Sequence, residues 1–201
     1  MRTLEDFLST LNSFDGSDTI YNPYKDKSIL NNLRVYLEFM DKHAGKRVLL
    51  VGEAPGYKGC RITGIPFTSS YQLTNSENPN ICRFKDKLVF SKTESENTAK
   101  IVWDFLSHER SIPLFWNSFP FHPHLKGKSN SNRAPTSKEI EFGVTILRKL
   151  KDIYEPEVIA SIGRKGETAI KKAFPDIQVQ YIRHPSYGGK RDFLQGMSNI
   201  M

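Results

Sequence analysis

Three short stretches of this 201-residue chain carry side chains that could do chemistry. Residues 52–56 read G-E-A-P-G, a second stretch begins at Asn117, and a third begins at His184. A carboxylate can orient water, an amide can donate and accept at once, and an imidazole can hydrogen-bond a developing anion. Each also has an ordinary structural role, as a Gly-rich turn, a turn or cap asparagine, or a packed histidine.

Alternating strands and helices must position these stretches. Short apolar runs, typical of strands buried on both faces, cover 48–51, 112–116, 158–162 and 177–182. Helical spacing or composition covers 4–11, 28–42, 96–106, the stretch after Thr136 up to Pro156, 165–174 and a last segment from about residue 190. The alternation predicts an α/β fold, a three-layer αβα sandwich around a mostly parallel four-stranded sheet.

We expect one domain over residues 1–201, with N-terminal helices at 1–44 packing on it. Ligands of such sheets bind beyond the carboxyl ends of the strands, which directs attention to the loops 52–70, 117–133 and 184–190. The loop 117–133 is basic and rich in polar residues, which predicts a surface position. The polar segment 57–98 is long for a loop, so it either has a function or hides short elements.

Composition narrows the class of protein. Hydrophobic residues make up 38% of the chain, which excludes global disorder, and no apolar run reaches the roughly 20 residues of a membrane-spanning helix. Residues 1–6 lack the features of a signal peptide, so we expect a soluble cytoplasmic protein without a membrane partner. The net charge of +7 either favours a polyanionic partner or only keeps the protein soluble.

Metal binding is not expected. The two cysteines, Cys60 and Cys82, are too few for a disulfide scaffold or an all-cysteine zinc site. His122 and His124 have metal-like spacing, but no third ligand stands at a convincing distance along the chain.

Taken together, the three loops resemble those of a known family. Residues 51–70, V-G-E-A-P-G-Y-K-G-C-R-I-T-G-I-P-F-T-S-S, resemble the first motif of the uracil-DNA glycosylase superfamily, especially microbial branches with G-E-A-P-G and R-T-G-x-P-F-T signatures. Asn117 with N-R-A-P-T at 132–136 is similar to their asparagine-bearing loop, and 156–163 to their P-x-x-I-x-x-x-G strand. H-P-S at 184–186 matches a motif near the carboxyl end. The resemblance covers about residues 45 to 190, in the family's order.

The resemblance implies a monofunctional glycosylase that flips uracil, or a related deaminated base, out of DNA and hydrolyses its N-glycosyl bond in base excision repair. Phe67 would stack on the flipped base, with Gly52 and Ala54 completing the base-binding stretch. Asn117 would pair with N3–H and O4 of uracil and reject cytosine, which offers the opposite pattern.

His184 would hydrogen-bond the developing anion at uracil O2. Glu53 is the candidate for orienting the water or the base, although it could instead cap backbone amides. Two positions depart from the family: Ala54 stands where some branches carry an Asp or Asn, and Ser70 stands where the R-T-G-x-P-F-T branch carries an Asp. If Glu53 is not catalytic, the enzyme is slow or acts on another base such as hypoxanthine.

The G-E-A-P-G branches commonly bind a four-iron cluster through four cysteines. This chain lacks them in the corresponding segments, so we predict no iron and no cofactor.

The resemblance also implies DNA contacts around the site, on single- or double-stranded DNA bound by a monomer. Tyr187 would act as a wedge that enters the duplex. The other predicted DNA contacts are Ser69, Lys126, Lys128, Arg133, Ser186, Lys190 and Arg191. Two other functions stay open: a catalytically weak or inactive nucleic-acid-binding member of the fold, and a hypoxanthine glycosylase.

Overall fold

A four-stranded parallel sheet carries the fold in the computed structural model, which describes residues 3–201. Met1 and Arg2 lie outside the described residues. Both belong to the amino terminus compared above with a signal peptide and to the predicted domain 1–201. The strands are β1 (Ile20–Tyr21), β2 (Val48–Gly52), β3 (Leu114–Asn117), β4 (His122–Pro123), β5 (Val158–Ile162) and β6 (Gln180–Ile182). The sheet order β3-β2-β5-β6, parallel throughout, confirms the predicted fold class.

Helices flank this sheet. They are α1 (Leu4–Ser13), α2 (Lys27–Lys42), α3 (Cys60–Thr63), α4 (Ser70–Asn75), α5 (Pro79–Cys82), α6 (Asn97–Leu106), α7 (Ser137–Tyr154), α8 (Arg164–Ala173) and α9 (Lys190–Ile200), with 3-10 turns at Pro23–Lys25 and Lys85–Lys87. Helix α8 packs on β2 and β5, α7 packs on α8, and α9 packs on β6. None of the helices described within residues 3–201 is long and apolar enough to cross a membrane.

Local sequence explains where the main elements begin and end. Strand β2 is buried at all five positions, as its continuous apolar run requires. Helix α7 begins with a capping box, in which Thr136 accepts from the Glu139 amide and the Glu139 carboxylate accepts from the Thr136 amide. It ends at Glu155, a residue in the left-handed conformation directly before Pro156.

The N-terminal helices share their core with the sheet. Phe7 of α1 and Leu33 of α2 belong to the same buried cluster as the strand residue Leu50. Such packing favours one domain, and the boundaries 1–201 stay a prediction.

The predicted surface position of the loop 117–133 is wrong for its first half. Phe119, Phe121, His122 and His124 are all buried, with exposed fractions from 0% to 7%. Strand β4 pairs with β1, and Phe121 stacks on Phe14 with ring centroids 4.2 Å apart. The polar composition therefore describes only the exposed tip at 125–130.

Candidate active site

A cleft of about 550 Å³ opens beyond the carboxyl ends of β2, β3 and β5. All three sequence-predicted loops reach it, since its lining includes Glu53, Phe67, Asn117, His184 and Tyr187. Its volume lies in the range of small-molecule sites. The cleft is therefore the candidate site, at the place where open α/β sheets bind ligands.

Phe67 and Asn117 line one side of the cleft, and Gly52 packs against the Phe67 ring; we call these three residues the inner wall. Of the residues predicted to bind the base, Ala54 lines the cleft and Gly52 does not. Gly52 and Asn117 are register partners at the ends of β2 and β3. The Phe67 ring lies so close to Gly52 that an added Cβ would stand 2.4 Å from Phe67 Cζ and 3.2 Å from Asn117 Oδ1. The glycine thus allows an aromatic face and a buried amide to meet at one point.

Phe67 is held in a strained backbone conformation. Its φ is +57°, in the left-handed region that bulky residues rarely adopt. The Trp103 indole N–H donates to the Phe67 carbonyl at 3.0 Å, and the Phe67 ring packs on Phe115 with centroids 5.2 Å apart. These contacts fix the half-buried ring at the cleft surface.

Asn117 brings a polar group into an otherwise apolar strand end. Its side chain is 4% exposed, and its Nδ2 donates only to Cys60 Sγ, a weak acceptor at 3.9 Å. Among residues 3–201, no stronger partner engages the amide, which leaves it available to a ligand.

Glu53 stands at the mouth of the cleft directly after β2. Its carboxylate accepts no hydrogen bond from residues 3–201, so the alternative role of capping backbone amides finds no support there; only its backbone carbonyl is engaged, by Ser118 and Phe119. Although the side chain remains partly exposed, partial burial raises the pKa of the Glu53 carboxyl, and the charge of Lys165 opposes this shift.

The rim loop, residues 184–189, faces the inner wall. His184 Nδ1 accepts from the backbone N–H of Ser186 at 3.3 Å and lies 2.7 Å from the Ser186 hydroxyl. Because Nδ1 accepts, the proton of the neutral ring stays on Nε2. Burial lowers the pKa of His184, which favours the neutral ring. A free Nε2–H donor results.

Tyr187 occupies the tip of the rim loop. Its φ is +52°, also left-handed, and its side chain is 97% exposed. An aromatic ring held out into solvent beside a cleft suits contact with a large partner.

The predicted DNA contacts separate into groups. Arg133 and Ser186 line the cleft, but Arg133 forms a double ion pair with Glu139 at 2.8 Å, and the Ser186 hydroxyl pairs with His184. The predicted DNA contact of Ser69 is wrong, because its hydroxyl is fully buried and caps α4 instead of facing the cleft.

The predicted lysines do not line the cleft. Lys126 and Lys128 lie at the exposed tip of the 117–133 loop, where Lys126 pairs with Asp18 at 3.3 Å. Lys190 and Arg191 lie on exposed positions of α9. Their contact with DNA stays a prediction.

Sequence reasoning missed several lining residues, namely Cys60, Glu96, Thr98, Asn132, Arg164, Tyr181 and Arg183. Arg164 follows the end of β5, and Arg183 follows the end of β6, so strand-end position was an available signal for both. The Arg164 guanidinium stacks on the Tyr181 ring at 4.3 Å. Glu96 gave no signal, because it lies far along the chain from every motif.

His122 and His124 serve loop packing. The His122 ring nitrogens lie 2.7 Å from Pro55 O and 3.3 Å from Ser129 O, and the two imidazoles stack at 5.6 Å. Within residues 3–201, no group of three His, Cys, Asp or Glu side chains could hold a metal ion.

Comparisons with known proteins agree with the fold. The family model of the Uracil DNA glycosylase superfamily matches residues 40–195. Among solved structures, the chain is similar to the crystal structure of wild-type Pedobacter heparinus SMUG2, with a TM-score of 0.66 and 18% identity, over 99% of this chain and 97% of that one. A search of curated protein sequences found no match.

Proposed function

Because the chain belongs to the uracil-DNA glycosylase superfamily, we propose that it is a monofunctional glycosylase that removes uracil from DNA. The inner wall carries this proposal, since Phe67 offers a stacking face directly beside the buried Asn117 amide. A base turned out of the helix needs both a stacking surface and a group that reads its edge.

Asn117 supplies the reading. Its Oδ1 accepts from N3–H of uracil while its Nδ2 donates to O4, and cytosine presents the opposite pattern at both atoms. The weak Cys60 contact on Nδ2 is displaced at little cost. Stacking on Phe67 contributes about 1 to 3 kcal/mol, which offsets part of the energy of unstacking the base.

His184 and Glu53 act on the bond itself. As the C1′–N1 bond breaks, its electron pair moves onto the base, and the His184 Nε2–H donates to O2, where negative charge accumulates. Water then adds to C1′ and passes a proton to the Glu53 carboxylate, whose raised pKa makes it a stronger base than an ordinary glutamate. No lysine of residues 3–201 lines the cleft, which supports hydrolysis without a Schiff base.

DNA itself would lie along the rim of the cleft. Arg164 and Arg183 line the cleft there, paired with Glu167 at 2.8 Å and Asp192 at 3.6 Å. The Tyr187 side chain is exposed beside them. We propose that Tyr187 enters the stack where the base leaves it, in base excision repair by a monomer.

The two alternative functions differ in their support. Hypoxanthine presents N1–H and O6 in the same donor and acceptor order as uracil, so Asn117 would read it in the same way. An inactive member was suggested by the absent acid at Ser70, but Ser70 is fully buried and its hydroxyl accepts from the Glu94 amide at 2.8 Å. Ser70 supports the Glu94 backbone and does not line the cleft.

Alkali cleavage of a uracil-containing oligonucleotide tests the proposal. We expect strand cleavage with the wild-type protein, a loss of at least about 100-fold in Asn117→Ala, and no change in Asn199→Ala, an exposed asparagine of α9. The same oligonucleotide with hypoxanthine or cytosine ranks the bases. No cleavage of any substrate at enzyme excess, or full activity in Asn117→Ala, contradicts the proposal.

A further inference from the structure

A second carboxyl group, that of Glu96, lines the cleft and has no role in the reaction described above. It shares the cleft lining with Cys60, Phe67, Thr98 and Asn117. Glu96 therefore opens onto the same cleft as Phe67 and Asn117, on which the base would rest.

Glu96 is an unusual residue for the position it occupies. It is the N-cap of α6, where its side chain accepts from the Ala99 amide at 3.3 Å. The usual N-caps are Asn, Asp, Ser and Thr, whose shorter side chains reach the same amides. Gly59 gives the longer side chain room, because a Cβ there would lie 3.3 Å from Glu96 Oε2 and 2.9 Å from Thr68 O.

The preceding segment ties Glu96 to the inner wall. Helix α4 begins three residues after Phe67 and binds both backbone polar groups of Glu94. The Ser70 hydroxyl accepts from the Glu94 N–H at 2.8 Å, and the Tyr71 N–H donates to the Glu94 carbonyl at 3.0 Å. These two bonds tie the backbone two residues before Glu96 to the helix that follows Phe67.

Cys60 lines the cleft together with Glu96 and also contacts the Asn117 amide, with its sulfur 3.9 Å from Asn117 Nδ2. Burial raises the pKa of the Cys60 thiol, and the charge of Glu96 adds to this shift. Burial raises the pKa of Glu96 more than its hydrogen bonds with Thr98 and Ala99 lower it, so the neutral acid, with its O–H donor, is more populated than for an exposed glutamate.

We propose that Glu96 is a second base-reading residue, which contacts the flipped base beside Asn117 and donates a hydrogen bond to a carbonyl oxygen of the base. The inference rests on the proposed function. It makes Glu96 a specificity-determining residue for keto bases, such as uracil and hypoxanthine, over bases that carry an exocyclic amine.

Two variants of Glu96 separate this role from helix capping. Glu96→Ser keeps a strong N-cap but has no donor that reaches the base, whereas Glu96→Gln is a poor N-cap that keeps an N–H donor at full length. Base reading predicts that Gln stays within about threefold of wild type on uracil DNA while Ser falls about tenfold, the scale of one lost hydrogen bond. Capping alone predicts the opposite order, with Ser above Gln.

The experiment measures uracil release at enzyme excess and thermal unfolding of each variant, with Asp104→Ser on the exposed face of α6 as the matched control. Equal losses in both Glu96 variants, or Ser above Gln, overturn the inference while wild-type activity leaves the proposed function intact. If wild type releases no base, binding of free uracil, followed by NMR, ranks the same variants. A Gln variant that binds free uracil no better than Ser then overturns the inference by itself.

Discussion

Phe67 and Tyr187 are aromatic residues with the same left-handed backbone and opposite surroundings. Phe67 is clamped by Trp103, Phe115 and the surface of Gly52, whereas Tyr187 is 97% exposed. Such a conformation costs on the order of 1–2 kcal/mol. Packing holds the Phe67 ring in place without a ligand, whereas at Tyr187 the backbone carbonyl is held by Arg183 at 3.5 Å and the ring stands in solvent. We propose that the Tyr187 ring gains its contacts from DNA.

The strongest test removes the space that the inner wall needs. In Gly52→Ala the new Cβ meets the Phe67 ring at 2.4 Å and presses on Asn117, so we expect a loss of about 100-fold or more in kcat/KM, as displacements near 1 Å produce. Uracil release from single-stranded and duplex DNA measures it.

A double variant shows whether that loss acts through the ring. With Phe67→Ala in place, the Cβ at position 52 has lost its main obstacle, so Gly52→Ala should add less than about twofold. If the double variant loses activity by the product of the two single-variant losses, Gly52→Ala does not act through the Phe67 ring.

Phe67→Ala alone tests the stacking face. Loss of about 1–3 kcal/mol of stacking predicts a decrease of roughly 5- to 150-fold in kcat/KM, equal on single-stranded and duplex substrates. A decrease confined to duplex DNA would mean that Phe67 helps to open the DNA duplex, which is the role proposed for Tyr187, instead of stacking on the base.

The pH profile separates Glu53, beside the inner wall, from His184 in the rim loop. A general base must be ionised, and the pKa of Glu53 is raised, so kcat/KM should climb about tenfold per pH unit up to that raised pKa and then level off. The lowered pKa of His184 keeps its ring neutral across the plateau. Glu53→Gln should abolish the acid limb, and an unchanged limb in this variant excludes Glu53 as the base.

The smallest effect is expected at the rim. Tyr187→Ala should lower activity on duplex DNA about three- to tenfold and leave single-stranded DNA within about twofold, because a wedge is needed only where a stack exists. Tyr187→Phe is the matched control and should behave like wild type. Since the ring is almost fully exposed, the thermal midpoint should not move. Equal losses on both substrates would mean that Tyr187 grips the strand instead of opening it.

The sequence could predict the sheet and the position of its loops. Continuous apolar runs identified β2 and β5, and parallel neighbours must end at one edge, which brought Gly52 and Asn117 together. The capping box of Thr136 and Glu139 was also predicted from a local pattern, and the structure contains it.

Features that depend on tertiary contacts could not be predicted from the sequence. The two-residue strands β1 and β4 are too short to show periodicity, so the burial of Phe121 could not be read from its polar neighbours. Ser69 lies in a motif loop, yet loop membership does not reveal that its hydroxyl caps a helix. Glu96 enters the cleft through the packing of a long segment, which no local pattern encodes.

The hydrogen bond from Trp103 to Phe67 also makes the protein its own fluorescent reporter. Of the chain's two tryptophans, Trp103 contacts the inner wall, whereas Trp116 points away from its strand neighbour Asn117 and packs on Phe7 with ring centroids 5.4 Å apart. A base entering the cleft should therefore change the emission of Trp103 on the timescale of flipping. Stopped-flow mixing with unlabelled DNA can therefore time base capture separately from bond cleavage.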